Sequence, residues 1–309
     1  MGEKQYLGQS ENQRRLVAGS QKSQTVSDDV LEKRRQRFSK SPVQNNDYGL
    51  LSRGEDFRLQ KDFNARVEFF ERIKTKYDEA DLEKVPENMA WVLMSLRKLR
   101  EALIAIETTI FTKEVFLYSV RVSASVQNHQ AYVPAIVHLL QKIRQTVGLN
   151  KDEEREVLTY LILHKLHHNG AINDAFELFF KYVDVLGDGT SLTPGQSLDM
   201  EKMSDPQRLY ATLVSYSNRD FYTWIRLYKR ELSSKDAIRA RNGAIMGLGH
   251  RKVLDWALTS IGSAYFVMKR LDLEMFTGES WESLVGDYNC LWRIEGEVVT
   301  IRERKRTLK

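Results

Sequence analysis

From about residue 56 onward, the apolar residues recur at intervals of three and four, which is the spacing of one face of an α-helix. Two such runs stand on either side of Pro86: Phe63, Val67, Phe70, Ile73 and Tyr77, then Val92, Leu96, Leu99, Leu103 and Ile106. A helix with one apolar face must bury that face against a neighbour. The spacing therefore predicts a mainly α protein of amphipathic helices that pack on one another.

The same spacing predicts further helices along the chain. Residues 110–126 are rich in β-branched residues, but helical neighbours on both sides favour a helix there. Another stripe, 133–147, is closed by Gly148, and one more helix is predicted to begin at the cap residue Ser234. Additional helical stripes lie at 152–168, 172–183, 209–216 and 221–232.

Helix, short turn and antiparallel helix alternate, which predicts a helical-repeat solenoid over residues 56–249, although no fixed sequence period is present. Residues 1–55 are rich in Gln, Ser, Asn, Arg and Lys, and their apolar residues have no period. They predict a disordered arm that is basic and polar. The polar stretch 187–206 is long enough to form a lid or a mobile loop.

The C-terminal residues follow another pattern, in which helical and extended segments alternate. Residues 250–266 predict a helix, and "LDLEMF" at 271–276 predicts a short extended segment. A second helix is predicted over 278–289, with its start at Ser280 or Glu279.

An extended pair closes this region. Trp292 and Ile294 alternate with polar residues before a turn, and Val299 and Ile301 alternate after it, which predicts a β-hairpin. With the segments before it, the hairpin predicts a winged-helix module over 250–305. A basic tail, 306–309, follows the module.

Composition and motifs exclude several kinds of site. Cys290 is the single cysteine, so the chain can form neither an internal disulfide nor a thiolate zinc site, and a reducing compartment is favoured. No apolar run approaches the roughly 18 residues of a membrane span, so no membrane attachment is expected.

"NGAIMGLGHRK" lacks the glycine spacing of a phosphate-binding loop. Its small residues instead predict a close approach of two helices.

Half of the six histidines, His164, His167 and His168, lie within five residues. His164 and His168 are four apart and share a helix face, as two metal ligands could, but no third ligand is evident. Asn169-Gly170 is a helix stop signal. The favoured interpretation is therefore the end of a packed helix, with a metal site and a catalytic histidine as the lesser alternatives.

The segment from Arg251 to Lys305 reads "RKVLDWALTSIGSAYFVMKRLDLEMFTGESWESLVGDYNCLWRIEGEVVTIRERK". A basic helix leads to Ile261, Ala264 and Tyr265, and a short Leu-rich strand, a helix with an acidic start and a strand pair ending in V-x-I follow. This order of segments, together with the preceding helical pair "EVLTYLILHKLHHNGAINDAFELF", resembles the pattern of the PCI-domain family. Its members are scaffold subunits of the proteasome lid, the COP signalosome, translation initiation factor three and GANP-type mRNA-export complexes. "LEKRRQRF" is similar to the basic entry segment of the GANP-type branch.

The resemblance implies that solenoid and winged helix together form a PCI domain in a scaffold subunit without enzymatic activity or cofactor. The implied partners are other subunits of a multiprotein complex, among them another PCI subunit and a small acidic protein of the Sem/Dss type, together with RNA or DNA. The implied location is the nucleus, with the cytoplasm also open. The resemblance assigns nucleic-acid contact to six basic residues, because positive side chains neutralise phosphates. These residues are Arg251, Lys252, Arg302, Arg304, Lys305 and Arg306.

The leading hypothesis is an adaptor in a nuclear complex concerned with mRNA processing or export. A subunit of a proteasome-lid or signalosome-like assembly is the alternative within the same family. A nucleic-acid-binding regulator that acts alone is a third possibility, and an enzyme that uses the histidines ranks last.

Overall fold

A computed structural model of the chain describes residues 48–50, 56–79, 86–190 and 202–303. Within these residues the protein is mainly helical, as the apolar spacing predicts, and it has one small sheet. The arm predicted over 1–55 lies outside the described residues except at 48–50. There Leu50 is buried and the Tyr48 ring meets the Phe69 ring at 4.7 Å, so the chain contacts the helices from Tyr48 onward. The tail, 306–309, also lies outside the described residues.

The helices before residue 250 follow one another through short connections. In chain order the labelled helices are α1 (Arg58–Lys61), α2 (Phe63–Asp78), α3 (Pro86–Ile104), α4 (Ile110–Ser125), α5 (His129–His138), α6 (Lys151–His167), α7 (Ile172–Lys181), α8 (Val183–Leu186), α9 (Asp205–Ser217), α10 (Phe221–Leu232) and α11 (Ala237–Met246). α5 continues through a π-helical turn, Leu139–Ile143, to Thr146. Neighbours in this order pack together, α2 on α3, α4 on α5, α6 on α7 and α10 on α11, which fits a helical-repeat array.

The C-terminal elements surround a second, smaller core. They are α12 (His250–Ala264), β1 (Val267–Lys269), α13 (Arg270–Thr277), α14 (Trp281–Gly286), β2 (Arg293–Glu295) and β3 (Val298–Thr300). The strands form an antiparallel sheet in the order β1-β3-β2, with Val299 opposite Met268 on one side and Ile294 on the other. These three side chains face the small core together with Ile261 and Leu273. The predicted β-hairpin is confirmed.

α12 contributes to both cores. Val253 and Leu254, near its start, belong to the large core of the helical array, whereas Ile261, two turns later, belongs to the small one. A short 3-10 turn, Gly247–Gly249, joins α11 to α12. The predicted boundary between residues 249 and 250 therefore falls within a continuous helical run.

The prediction of an extended segment at "LDLEMF" is wrong, because these residues belong to helix α13. The strand lies earlier, at Val267–Lys269. Leu271, Leu273 and Met275 alternate with polar residues and so imitate a strand. Their burial follows the helical step of four instead, since Leu273 and Thr277 are buried while Leu271 and Met275 are exposed. Gly278, at φ 68°, ends the helix in the left-handed conformation.

Side-chain caps fix several helix starts. Residues 110–126, whose propensity was ambiguous, do form helix α4, and the Thr109 hydroxyl accepts a hydrogen bond from the Thr112 N–H at its start. Ser280 caps α14, as predicted. The predicted cap at Ser234 is wrong, because the Asp236 carboxylate accepts from the N–H groups of Ile238 and Arg239 and so begins α11. A carboxylate satisfies two helix N–H groups and complements the positive helix end better than a hydroxyl.

Replacing Asp236 with alanine is expected to lower the free energy of unfolding by about 1 kcal/mol, because two N–H groups at the start of α11 lose their acceptor. Urea unfolding followed by circular dichroism measures the change. Ser234→Ala is the matched control, since the Ser234 hydroxyl accepts a hydrogen bond outside the helix, from the Asp236 N–H. Equal losses in the two variants would contradict the assignment of the cap.

Candidate functional site

Arg251 and Lys252 lie side by side at the start of α12, and both are exposed. The Lys252 ammonium lies 5.5 Å from the centre of the Trp256 ring, one helical turn further on, and 5.7 Å from the Tyr216 ring. The Arg251 guanidinium lies 5.9 Å from the Tyr288 ring. A cation over an aromatic ring is attracted by the negative face of the ring. These contacts hold both cations at the surface.

Trp256 contacts a second cation from another part of the chain. Arg219, in the turn between α9 and α10, places its guanidinium 5.8 Å from the Trp256 ring. Trp256 is partly buried and packs against the large core, so the cations are the part of this surface that can approach phosphates. We call Arg219, Arg251, Lys252 and Trp256 the α12 basic surface.

Sequence reasoning found only half of this surface. The four-residue step from Lys252 to Trp256 was a usable signal, because residues four apart are neighbours on a helix. Nothing in the sequence connects Arg219 with either of them.

Of the other four cations predicted for nucleic-acid contact, the structure describes Arg302. Arg302 follows β3, and its guanidinium lies 4.1 Å from the centre of the Phe266 ring. Arg304, Lys305 and Arg306 lie outside the described residues. The structure therefore places Arg251 and Lys252 together and rests Arg302 on a different ring.

His164 is a buried core residue. Its Nδ1 lies 3.0 Å from the Tyr132 hydroxyl, with which it forms a hydrogen bond. The pKa of His164 is lowered to about 4, chiefly because the buried imidazolium loses its hydration and in smaller part because His168 and His129 lie nearby. His164 is therefore neutral at pH 7.

His167 is buried between two helices in one fixed protonation state. The Trp224 ring N–H donates to His167 Nε2 at 3.0 Å, so the His167 proton is on Nδ1, which donates to the Leu163 carbonyl oxygen 2.9 Å away. Burial lowers the pKa of His167 to about 3. The ring joins the end of α6 to α10 as a neutral, doubly hydrogen-bonded core group.

The histidine segment ends a helix, as predicted. α6 ends at His167, and Gly170 follows with φ 66°. The exposed His168 ring lies 4.9 Å from the His164 ring and 4.0 Å from the His129 ring, between ring centres. Across the part of the chain that the structure describes, no group of three or more His, Cys, Asp or Glu residues is placed to hold a metal ion. Core packing and helix termination are thus confirmed for His164 and His167.

The glycine-rich segment permits close packing. A Cβ atom at Gly243 would lie 2.5 Å from the Leu232 backbone nitrogen, and one at Gly249 would lie 2.8 Å from the His167 ring. The prediction that small residues let two helices approach is confirmed.

Cys290 is buried, and burial raises the pKa of its thiol, which disfavours the reactive thiolate.

Large apolar side chains are exposed along the C-terminal part of the described chain. We call them the C-terminal apolar set: Tyr265, Phe266, Val267, Leu271, Met275, Val285, Leu291 and Val298. Leu291, between α14 and β2, is 91% exposed. Val267 and Val298 lie on the outer face of the sheet, opposite to Met268 and Val299. Large apolar side chains are also exposed on the helical array, Ile110 and Phe180 among them. Where such side chains form one continuous patch, they are typical of protein interaction surfaces.

Comparison with known proteins does not assign the chain to a family. The sequence matches no model of a known protein family and no curated protein sequence. Among the described helices, none is both long enough and apolar enough to span a bilayer.

Proposed function

We propose that this chain is a non-catalytic scaffold subunit of a multisubunit nuclear complex concerned with mRNA processing or export. The observation that supports the proposal most directly is the C-terminal apolar set. A helical array that carries an exposed apolar module at one end of the chain is suited to holding other proteins, because apolar surface left in water favours association.

The order of elements supports assigning the module as a winged helix and the whole as a PCI domain. One helix, a strand, two helices and two strands follow in turn, and the last strand lies between the other two. α12 belongs to both this module and the helical array. The resemblance of Arg251 to Lys305 to PCI proteins leads us to expect the first helix, one strand, a later helix and the final strand pair, but it takes residues 271–276 as the strand, and these residues belong to α13.

The charge of α14 favours a protein partner over base recognition. In helix-turn-helix proteins, the second helix of the motif enters the DNA major groove with its N-terminal residues. The first turn of α14 carries Glu282 and no basic residue. The cation beside it, Arg270, is ion-paired with Glu282 at 2.9 Å and so is already neutralised, which argues against a regulator that reads DNA alone.

The partners we propose are other subunits, including another PCI subunit and a small acidic protein of the Sem/Dss type. The α12 basic surface has the charge that would attract an acidic chain or the phosphates of RNA. A subunit of a proteasome-lid or signalosome-like assembly is the alternative, since the C-terminal apolar set would serve either assembly.

Affinity purification of the full chain, with identification of the co-purifying proteins, tests the proposal. We expect mRNA-export subunits together with a small acidic protein, and Leu291→Asp should abolish their recovery. Ile110→Asp is the matched control, because Ile110 is 73% exposed but lies on the helical array. Recovery of lid or signalosome subunits would favour the alternative. Equal recovery with both variants would show that the C-terminal apolar set does not hold the partners.

Salt dependence of RNA binding tests the α12 basic surface. Replacing Arg251 and Lys252 with glutamine should reduce the slope of log K against log salt concentration by about 1.4, because about 0.7 is lost for each phosphate contact to single-stranded RNA. Fluorescence anisotropy with a labelled oligonucleotide measures the slope. Lys61→Gln with Lys151→Gln is the control, since both lysines are exposed on the array. An unchanged slope in the first variant would exclude phosphate contacts at this surface.

A further inference from the structure

Two histidines lie near the α12 basic surface but outside the buried core. His129 begins α5, and His168 directly follows the last residue of α6. Their ring centres are 4.0 Å apart, and the His168 ring is exposed. Burial, and in smaller part the neighbouring His129, lower the pKa of His168. His250, which precedes Arg251, is partly buried and is instead paired with Glu279 at 3.5 Å. His129 and His168 are therefore the histidines of this region that can meet a ligand.

Two contacts join the segments that carry these histidines to the start of α12. A Cβ atom at Gly170, two residues after His168, would lie 3.8 Å from the Lys252 Nζ atom. A Cβ atom at Gly247, in the 3-10 turn before α12, would lie 2.9 Å from Nε2 of Gln127, which belongs to the turn before α5. The α12 basic surface therefore borders on both segments, near enough for one polyanion to contact the lysine and the rings.

The surroundings of the two rings are positively charged. The titratable and charged groups around them are His164, Lys165, Tyr132, Asp174 and Lys252. His164 is neutral at pH 7 and is hydrogen-bonded to Tyr132. Lys165 and Asp174 neutralise each other in an ion pair at 2.9 Å. Within the part of the chain that the structure describes, no carboxylate is ion-paired with Lys252 or with either ring. An anion that reaches the rings therefore meets positive charge and no competing carboxylate.

We propose that His129 and His168 extend the α12 basic surface and become protonated when single-stranded RNA binds there. The inference rests on the RNA contact proposed above. A phosphate beside the rings favours the imidazolium form, because a nearby opposite charge stabilises the charged form of a titratable group. The added positive charge is present at low pH and is lost as the pH rises, so RNA binding strengthens as the pH falls from 7.5 to 6.

RNA fits this surface better than an acidic protein does. A strand carries one phosphate on every nucleotide, so it can contact cations from α5, α6 and α12 in succession. An acidic chain must instead order one flexible side chain for each contact, which costs conformational entropy.

The pH dependence of RNA binding tests this inference on the full chain. Fluorescence anisotropy with a labelled oligouridine, at constant ionic strength, should show an affinity about fivefold higher at pH 6 than at pH 7.5. A shift of one pKa unit in one group can change the affinity up to about tenfold. Replacing both His129 and His168 with glutamine should remove most of the increase. His168→Gln alone, at an exposed position, should remove part of it, and this variant keeps the test decisive if the double variant does not fold.

His138→Gln is the matched control, because His138 also lies near cations, Lys142 and Arg100, but at the other end of α5. It should keep the full increase. An equal increase in the unaltered chain and in folded His168→Gln would overturn the role of the histidines, while the RNA contact would stand. No binding to the unaltered chain at low salt, at either pH, would refute the RNA contact as well. Displacement of the RNA by polyglutamate at an equal concentration of charges would refute RNA as the ligand and favour an acidic protein.

Discussion

Replacing Gly243 with alanine is expected to destabilise the protein by about 3 kcal/mol. The new Cβ atom would lie 2.5 Å from the backbone nitrogen and 2.6 Å from the Cα atom of Leu232. Backbone atoms cannot turn aside as a flexible side chain can, so α11 must move away from α10. The movement also disturbs the hydrogen bonds from Arg239 and Asn242 to Glu231, which join the same two helices.

Alanine itself would favour a helix over glycine by about 1 kcal/mol, so the steric cost must exceed this gain. Gly286→Ala is the control, because Gly286 is also helical and a Cβ atom there meets nothing within 4 Å. Urea unfolding should show a stability equal to or slightly above that of the unaltered protein for Gly286→Ala, and a large loss for Gly243→Ala. Similar stabilities of the two variants would contradict the close packing of α10 and α11.

The positions of most helices could be predicted because helical spacing is a local property. Val92, Leu96 and Leu99 follow one step of three or four after another, and all three are buried. The same reasoning gave a wrong prediction for "LDLEMF", because a segment this short can satisfy both the period of a strand and the period of a helix. Burial of Leu273 against Ile261 and Val299 decides between them, and that contact depends on residues distant in the sequence.

The candidate sites were less predictable than the fold. His167 was found as part of a histidine cluster, but its partner Trp224 lies on α10, four helices later in the chain, and no spacing indicates the pair. The contact of Trp256 with Arg219 could not be predicted either, because it depends on the packing of α12 against the turn before α10. The ion pair of Arg208 with Glu231 is a further case, because it forms only where α9 meets α10.

The free energy of unfolding should fall by about 2 kcal/mol between pH 6 and pH 5 through His164 and His167. Burial lowers the pKa of His164 to about 4 and of His167 to about 3, below the value near 6.5 of an imidazole in the unfolded chain. Below pH 6.5 the unfolded chain therefore binds protons that the folded chain does not. The stabilisation is fully present above pH 6.5 and is lost as the pH falls.

Urea unfolding at a series of pH values isolates the contribution of His167. His167→Gln removes one of the two buried imidazoles, and its side-chain carbonyl can still accept a hydrogen bond from the Trp224 ring N–H. The fall in stability between pH 6 and pH 5 should therefore be about 1 kcal/mol smaller in this variant, whatever its stability at pH 7. His168→Gln is the control, since the His168 ring is exposed and its removal should change the pH dependence less. If His167→Gln kept the full pH dependence of the unaltered protein, the imidazole of His167 could not be a buried neutral group between α6 and α10.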